Sequence, residues 1–507
     1  MTEFSDRPMS VPKGAKLLHH LPEASLVTEY LENYCDNHVY DGTSLRERIT
    51  FNCEVRAIRK VENVWHIRAV TGSEENIYRT SKLVMASGLY TLPNMPELPN
   101  IEVFLGKIVH QIDFGRSKVL EDPNVKNVVV LGGAKSAGDI AYASVKAGKS
   151  VSWVLRENGS GAATFTQPKG KLWYKNTPEI ATTRLTSLFT PSIYTPQNFI
   201  FKLCHSTARG RSLMKTLFVS ADRDILALGN FRNRVGARPG FEKLECTPNL
   251  FWLNGFVGMV QQHDFWQTIA ENVDVHRSDI ANVNSDRIEL RDGTSIVADA
   301  ILCGTGFSRS FALFESPSAM DLGLPVPLKS ATKATVEWEK FEKEADEAIV
   351  QTFPELANPP PCRPSPATAY RLYNLIAPLD DDSVVFLGYL GVLNAFYTAE
   401  CQSVWATAYL DKKISLPSRE ERIKDIAKMN AFSKRRYPFL GQDGAAINYD
   451  MVGYCDRLLK QVGLSSHLKT SWWKYWFGVN NASTLTGIKD EYLGLFGDKV
   501  GTSRSAG

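Results

Sequence analysis

Short apolar runs alternate with helical patterns in the middle of this 507-residue chain, and the clearest case spans residues 127–156. Four consecutive apolar residues, 128–131, predict a buried strand, and residues 139–146 continue as a helix. Residues 151–155 form a second apolar run that ends at Arg156. A strand, a helix and a second strand within about 30 residues are typical of a crossover between parallel strands in a dinucleotide-binding sheet.

Small residues connect this first strand to its helix: Gly132, Gly133, Ala134, Lys135, Ser136 and Ala137. Small side chains let a pyrophosphate approach the backbone, and a helix N-terminus offers unpaired N–H groups. Arg156 stands where an acidic residue would bind the ribose 2′-hydroxyl of NAD, and a cation there suits the 2′-phosphate of NADP. The segment therefore predicts an NADPH site. An ordinary helix-start turn and a surface arginine are the alternatives.

The remaining pattern places this unit inside an α/β protein. Helical spacing predicts a helix in residues 22–37, and alternation predicts strands within residues 49–70 and 82–88. Strand patterns return in residues 273–303 and 384–390, and helical patterns in 331–349 and 399–410. The fold class expected is two Rossmann-like dinucleotide-binding domains followed by a helical C-terminal region.

Composition and charge narrow the function classes. A chain of 507 residues is too long for one core, and a net charge of +3 from scattered basic residues gives no reason to expect a nucleic-acid partner. The eight cysteines lack ligand spacing, so free thiols in a reducing compartment are expected, with no metal site. No transmembrane run or apolar leader is present in the sequence. A cytoplasmic location is therefore expected.

Five segments, taken in order, resemble the flavin-containing monooxygenases and their Baeyer–Villiger relatives. They are the Ala-Ser-Gly turn at 86–88, the FxGxxxHxxx-aromatic linker at 104–114 around His110, the turn at 132–139, the segment DAILCGTGF at 299–307, and residues 388–402 with Glu400 and Gln402. The linker is the specific match, and each of the others would be weak alone. Together the matches cover roughly residues 1–410.

The resemblance implies an FAD- and NADPH-dependent monooxygenase. Such an enzyme inserts one oxygen atom from O2 into a small organic substrate through a C4a-hydroperoxyflavin, and secondary-metabolite biosynthesis is one expected setting. The implied residues on the FAD side are Ser87, Gly88, Gly304, Thr305, Gly306 and Gln402. His110 is implied as a hinge or site residue. The cofactors carry the chemistry, so no protein nucleophile is required.

The resemblance also implies how the domains are arranged. A discontinuous FAD-binding domain is expected from residues 1–115 and 295–410. The NADPH-binding domain would span 120–294, with an aromatic-rich insertion at about 160–260 that forms a pocket wall, and 411–507 would be a helical C-terminal extension.

The sequence departs from the family pattern at its start. The family binds the FAD pyrophosphate with an early GxGxxG turn, and residues 1–81 contain none. The flavin-type domain is therefore expected to be N-terminally incomplete and to retain FAD weakly. The alternative is a non-catalytic or truncated NADPH-binding relative that has lost FAD binding. Phe114 stands where Baeyer–Villiger members carry tryptophan, which favours the heteroatom-oxidising branch.

Overall fold

A computed structural model describes residues 3–157, 162–247, 249–253, 258, 261–330 and 334–497, the first four of the last range by their backbone. Parts of the predicted insertion (160, 161, 248, 254–257, 259 and 260) and the last ten residues of the predicted extension lie outside the described residues.

The strands of the described residues are β1 (Leu17–Leu18), β2 (Leu21–Pro22), β3 (Val39–Tyr40), β4 (Thr43–Ser44), β5 (Cys53–Val61), β6 (Val64–Thr71), β7 (Glu74–Thr80), β8 (Leu83–Met85), β9 (Leu92–Pro93), β10 (Lys107–His110), β11 (Asn127–Leu131), β12 (Ser150–Leu155), β13 (Val273–Arg277), β14 (Ile280–Val283), β15 (Arg287–Leu290), β16 (Ser295–Val297), β17 (Ala300–Cys303), β18 (Phe307–Ser308), β19 (Phe314–Ser316) and β20 (Val384–Phe386).

The α-helices of the described residues are α1 (Ala24–Asn37), α2 (Phe114–Ser117), α3 (Lys135–Lys146), α4 (Thr177–Ala181), α5 (Arg184–Leu188), α6 (Phe199–Ser206), α7 (Ala208–Gly229), α8 (Phe265–Asn272), α9 (Ala334–Thr352), α10 (Ala395–Leu410), α11 (Arg419–Arg436), α12 (Met451–Val462), α13 (Trp472–Phe477) and α14 (Ile488–Phe496). Within the described ranges, every helix is too short or too polar to span a bilayer.

A five-stranded parallel sheet lies at the centre of the fold, with the strand order β10-β17-β11-β12-β13. Its middle strands are apolar and buried on both faces, as parallel strands covered by helices are. The predicted crossover is confirmed, since β11, α3 and β12 follow one another and β11 pairs with β12 in parallel. The helix begins four residues earlier than predicted, at Lys135.

Strands β10 and β17 correct the expected domain boundaries. Residues up to 115 and from 295 onward were assigned to the flavin-type domain, but β17 lies between β10 and β11 in the central sheet. Leu302 pairs with Val109 on one side and with Val130 on the other. The prediction that these two strands belong to the flavin-type domain was wrong. Residues Ala300–Cys303 are all buried, as expected for a central strand with a parallel neighbour at each edge.

Two further sheets contain strands β5 to β8, β19 and β20, and this part of the molecule, where FAD is expected, is called the flavin side. Strands β8 and β20 form a parallel pair. In the order β19-β5-β6-β7, the strands predicted within residues 49–70 form an antiparallel meander with β7. Their core continues into α10 and α12, where Tyr397, Trp405 and Tyr454 are buried. The predicted helical extension is confirmed for its described part, which contains α11 to α14. The insertion at about 160–260, for which the sequence predicted no helices, contains α4 to α7.

Candidate dinucleotide and flavin sites

The turn after β11 requires glycine at its first position. Gly132 has a φ of +121°, a conformation that other residues rarely adopt. A Cβ at this position would overlap the carbonyl oxygen of Gly304, which follows the neighbouring strand β17. The Gly132 N–H donates to the Val154 carbonyl at 3.2 Å, and its carbonyl accepts from Trp153 Nε1 at 2.6 Å. The turn is therefore fixed against both adjacent strands.

Helix α3 presents its N-terminus at this turn. Its N-cap is Ala134, which has no side chain that could bond the first-turn N–H groups. Those groups and the positive end of the helix dipole are a favourable place for a phosphate. Lys135 Nζ lies 2.6 Å from the Asp139 carboxylate one turn later, while Ser136 is half-buried and Ala137 is packed in the core. The predicted residues are thus brought together in a geometry that fits a pyrophosphate.

Two arginines follow the adjacent strand ends next to this turn. Arg156 comes directly after β12, and its neighbour Leu155 pairs with Arg277 at the end of β13. The chain leaving β13 is held there by a bond from the Ser278 N–H to the Leu155 carbonyl at 3.0 Å. Among the described residues neither arginine has an ion-pair partner. Sequence reasoning missed Arg277, whose only signal was a cation at the end of the next apolar strand.

His110 is buried at the end of β10 with both ring nitrogens engaged. Nε2 lies 2.7 Å from the Gly306 carbonyl and so donates to it, while Nδ1 accepts from the Ile112 N–H at 3.3 Å. The ring also contacts Phe307 edge-on, with centroids 5.2 Å apart. Both ring nitrogens are therefore held by backbone groups of the protein. The contacts fit a hinge or positioning residue rather than a general base.

We expect His110→Ala to destabilise the protein by about 2–3 kcal/mol, because it leaves buried backbone groups unpaired and opens a cavity. Urea unfolding measures this change. His110→Gln, which can donate to the Gly306 carbonyl, should recover part of the loss. The pH profile of NADPH oxidation in the glutamine variant should match that of wild type, and a displaced profile would indicate proton transfer by His110.

The predicted residues Gly304, Thr305 and Gly306 follow β17, and the last two are bonded to the chain segment that follows β9. Thr305 Oγ1 donates to the Asn94 carbonyl at 2.6 Å, and the Asn94 N–H donates to the Gly306 carbonyl at 3.0 Å. Strand β18 then pairs with β9. Gly304 packs against α3, since a Cβ there would lie 2.7 Å from backbone atoms of Ala137. These contacts place the end of β17 beside both the dinucleotide turn and the flavin side.

Two open glycine turns lie side by side on the flavin side. Gly88 follows β8 and Gly388 follows β20, and these strands are paired in parallel. Both glycines have positive φ (+73° and +77°), and a Cβ at either would meet no atom within 4 Å. Ser87 Oγ is hydrogen-bonded to the hydroxyl of Tyr389. Ligands of α/β folds bind at the carboxyl ends of parallel strands, so exposed backbone here fits the approach of a flat ring.

Gln402 is hydrogen-bonded to the backbone of the Gly388 turn. It is fully buried on α10, where Oε1 accepts from the Gly388 N–H at 2.9 Å and Nε2 donates to the Tyr454 hydroxyl at 2.8 Å. Both ends of the amide are therefore occupied by protein. The neighbouring Glu400 accepts from the Ser5 N–H at 3.1 Å, and burial raises the pKa of its carboxyl. The geometry makes Gln402 a residue that positions the Gly388 turn.

A cavity of about 650 Å³ opens among residues 19–20, 167–175 and 261–266. The Ala163 N–H donates to the Gly133 carbonyl at 2.7 Å, and the chain continues from there into the cavity wall. The wall combines apolar and basic side chains from several segments, among them His19, His263, Lys169, Tyr174, Leu228 and Trp266. Burial and the nearby His263 and His20 lower the pKa of His19. The described residues contain no cluster of metal ligands.

Comparisons with known proteins agree with this geometry. The family model described as pyridine nucleotide-disulphide oxidoreductase matches residues 17–191. FAD-dependent monooxygenase rstn6 of Aspergillus nomiae is 30% identical, over 98% of this chain and 89% of the relative. An FAD-dependent monooxygenase of Pyrenophora dematioidea is 29% identical over 92% and 88%. The NADP+-bound structure of cyclohexanone monooxygenase from Rhodococcus sp. Phi1 has a TM-score of 0.52 at 14% identity, over 87% and 82% of the two chains. This likeness confirms the predicted fold class.

Proposed function

Because this chain belongs to the FAD-dependent monooxygenases, we propose that it oxidises NADPH and transfers one oxygen atom from O2 to a small organic substrate. The enzyme class and the family agree with the expectation from the sequence. The alternative, a non-catalytic NADPH-binding relative, is not favoured, because relatives that align along nearly the whole chain are named as monooxygenases.

The observation that carries the proposal is the dinucleotide turn with its two arginines. Gly132 lets the turn pack closely against Gly304, and α3 offers free N–H groups beside it. Arg156 follows β12, and Arg277 is the last residue of the paired strand β13. A 2′-phosphate between the two guanidinium groups would form charge-assisted bonds that a 2′-hydroxyl cannot form. This arrangement supports NADPH over NADH as the source of electrons.

The protein's own part in the reaction is to bind, orient and shield. When bound, NADPH supplies the hydride and FAD the activation of oxygen. The open turns at Gly88 and Gly388 would hold the flavin end, with Gln402 fixing one of them. His110 fixes the crossing at Gly306 that lies between the two sites. The cavity lined by residues 167–175 and 261–266 would admit the substrate, in line with the pocket wall predicted for the insertion.

We expect Arg156→Ala to weaken NADPH binding by about 1.5–3 kcal/mol, or roughly tenfold to more than a hundredfold, because a charge-assisted phosphate contact is lost. NADH binding should be unchanged, since it carries no 2′-phosphate. Titration of both cofactors by tryptophan fluorescence measures this. Arg232→Ala is the matched control, since Arg232 is exposed and paired with Glu245 away from the turn. A wild type that prefers NADH would contradict the assignment.

A second measurement tests the monooxygenase itself. NADPH oxidation and oxygen uptake are followed with and without added FAD, and bound flavin is counted per chain from its absorbance. We expect NADPH-dependent oxygen uptake that requires FAD. Consumption of NADPH that is indifferent to FAD, or no consumption with flavin bound, would refute the proposed activity.

A further inference from the structure

Four large apolar side chains are exposed together at one place on the surface. Leu172 and Trp173 are 85% and 55% exposed, and Trp472 and Trp473 on α13 are 69% and 53% exposed. Isolated exposed apolar residues are common, whereas an exposed apolar patch marks an interaction site.

Ring contacts join these two segments, which lie 300 residues apart in the chain, into one surface. Trp173 lies 5.7 Å from Trp473 and 6.0 Å from Phe477, measured between ring centroids. Trp473 stacks on Phe477 at 4.1 Å, and the Tyr174 hydroxyl donates to the Phe477 carbonyl at 2.8 Å. The aromatic rings are thus held in place in the folded protein.

The inner face of α13 anchors the helix to the body of the protein. The Arg184 guanidinium lies 4.8 Å from the centroid of the Tyr475 ring, and Trp476 packs against a buried cluster that includes Leu188. The inner residues of α13 are packed against the protein, so the exposed Trp472 and Trp473 lie on its outer face. That face has no covering element among the described residues.

Lysines surround the aromatic rings. Residues 168–175 and 465–478 contain five lysines and no acidic residue. Lys171 pairs with Asp224, and Lys469 lies near Glu491. The other three, Lys169, Lys175 and Lys474, have no ion pair among the described residues. The surface therefore combines tryptophan, leucine and uncompensated positive charge.

We propose that this aromatic–lysine patch (Leu172, Trp173, Trp472, Trp473 and the surrounding lysines) docks the protein on an anionic membrane surface. Tryptophan rings are favoured at the level of lipid headgroups, and lysines are attracted by anionic lipids. Three of the five lysines have no ion pair in the described part of the chain, so the rim carries an excess of positive charge that an anionic lipid surface complements.

The patch lies next to a cavity, so docking on a membrane would bring that cavity to the lipid and would extend the proposed function. Lys169, Leu172 and Lys175 belong to the patch and also line the cavity of about 650 Å³. In a protein bound to lipid through this patch, the mouth of the cavity would face the membrane. An apolar substrate dissolved in the lipid could enter the cavity without crossing water. Vesicle binding needs no turnover, so it can be tested even if the proposed activity fails.

The experiment is sedimentation of the full chain with vesicles of phosphatidylcholine, either alone or containing phosphatidylserine. We expect binding to the anionic vesicles that weakens at high salt. The double variant Trp472→Ser/Trp473→Ser should bind about tenfold or more weakly, since interfacial binding scales with buried apolar area. Lys469→Glu/Lys474→Glu should lose binding to anionic vesicles with the rings intact. Phe51→Ser is the control, because Phe51 is 56% exposed and lies outside the patch.

Three outcomes would overturn the proposal. One is equal sedimentation with and without anionic lipid, and another is equal loss in Phe51→Ser and in the tryptophan variant. The third is a concentration-dependent dimer, seen by size-exclusion chromatography without vesicle binding, which the tryptophan variant abolishes. That result would assign the patch to a second copy of the chain. Circular dichroism establishes that each variant is folded before its binding is compared.

Discussion

Gly132→Ala is expected to lower the free energy of unfolding by about 2–6 kcal/mol and to abolish NADPH binding. Two costs add at this residue. A side chain at φ +121° is strained by about 1–3 kcal/mol, and overpacking of a close-packed region costs a similar amount. The new Cβ would overlap the Gly304 carbonyl, which is backbone and cannot rotate away. Urea unfolding and cofactor titration measure the two effects.

Gly115→Ala is the matched control for this substitution. Gly115 lies in α2, close to the end of β10, and a Cβ there would meet no atom within 4 Å. Its φ is not in the left-handed region. The control should therefore unfold and bind NADPH as wild type does. A Gly132→Ala variant within 1 kcal/mol of the control would mean that the turn is not as closely packed as its contacts indicate.

The contact between Gly132 and Gly304 also explains why the dinucleotide turn is linked to the flavin side. Gly304 ends β17, and the residues after it bond to the loop that follows β9. His110 holds the same crossing from the end of β10. A displacement of the turn would therefore be transmitted to both linkers through backbone contacts. This is a physical reason for small residues at 304–306.

The sequence predicted the elements whose signals are consecutive. The run Val128–Val130, the small residues after it and the amphipathic helix α3 lie within one short segment, so local pattern was enough. The start of α3 was missed because Ala134 is its N-cap, and alanine gives no capping signal. Helices α4 and α5 of the insertion were missed because each is only five residues long. The longer α7 was missed because only Met214, Ile225 and Gly229 of its 22 residues are buried, which leaves a weak apolar pattern.

Long-range pairing could not be predicted from local pattern. The apolar run Ala300–Cys303 indicates a buried strand, but it does not specify which sheet contains that strand. Its partners β10 and β11 begin 193 and 173 residues earlier, and β17 was therefore assigned to the wrong unit. Arg277 was missed for the same reason, since its position next to Arg156 depends on the pairing of β12 with β13.

The roles of individual polar residues depended on partners that only the fold reveals. Gln402 was expected to contact FAD. In the structure its amide oxygen accepts from the Gly388 N–H and its amide nitrogen donates to the Tyr454 hydroxyl. The predicted residues Ser87 and Thr305 likewise have partners within the protein. The cofactor assignments of these residues remain predictions. The sequence did indicate that glycine and other small residues are needed at the ends of these strands.

Asp450 is expected to make stability fall as pH rises, because its side chain is fully buried before α12. Burial raises the pKa of Asp450 to about 6, although the Ser192 and Tyr437 hydroxyls and the Arg436 guanidinium favour the charged form. The native state therefore holds a proton that the unfolded chain releases above its ordinary pKa of 3.8. Stability from this group is complete below about pH 4 and is lost as pH rises through 6. A shift of about two units corresponds to about 3 kcal/mol.

Asp450→Asn removes this dependence, since the amide does not ionise and its oxygen can still accept from the Tyr437 hydroxyl, now 2.6 Å from the carboxylate. Relative to the variant, wild type should lose about 3 kcal/mol of unfolding free energy between about pH 4 and pH 8. Urea unfolding at a series of pH values measures the difference. Asp264→Asn is the control of opposite sign, because Lys146 and Tyr142 lower the pKa of Asp264 to about 2. Parallel pH curves for wild type and Asp450→Asn would mean that Asp450 stays ionised in the folded protein, with the nearby Arg436 guanidinium as its counterion.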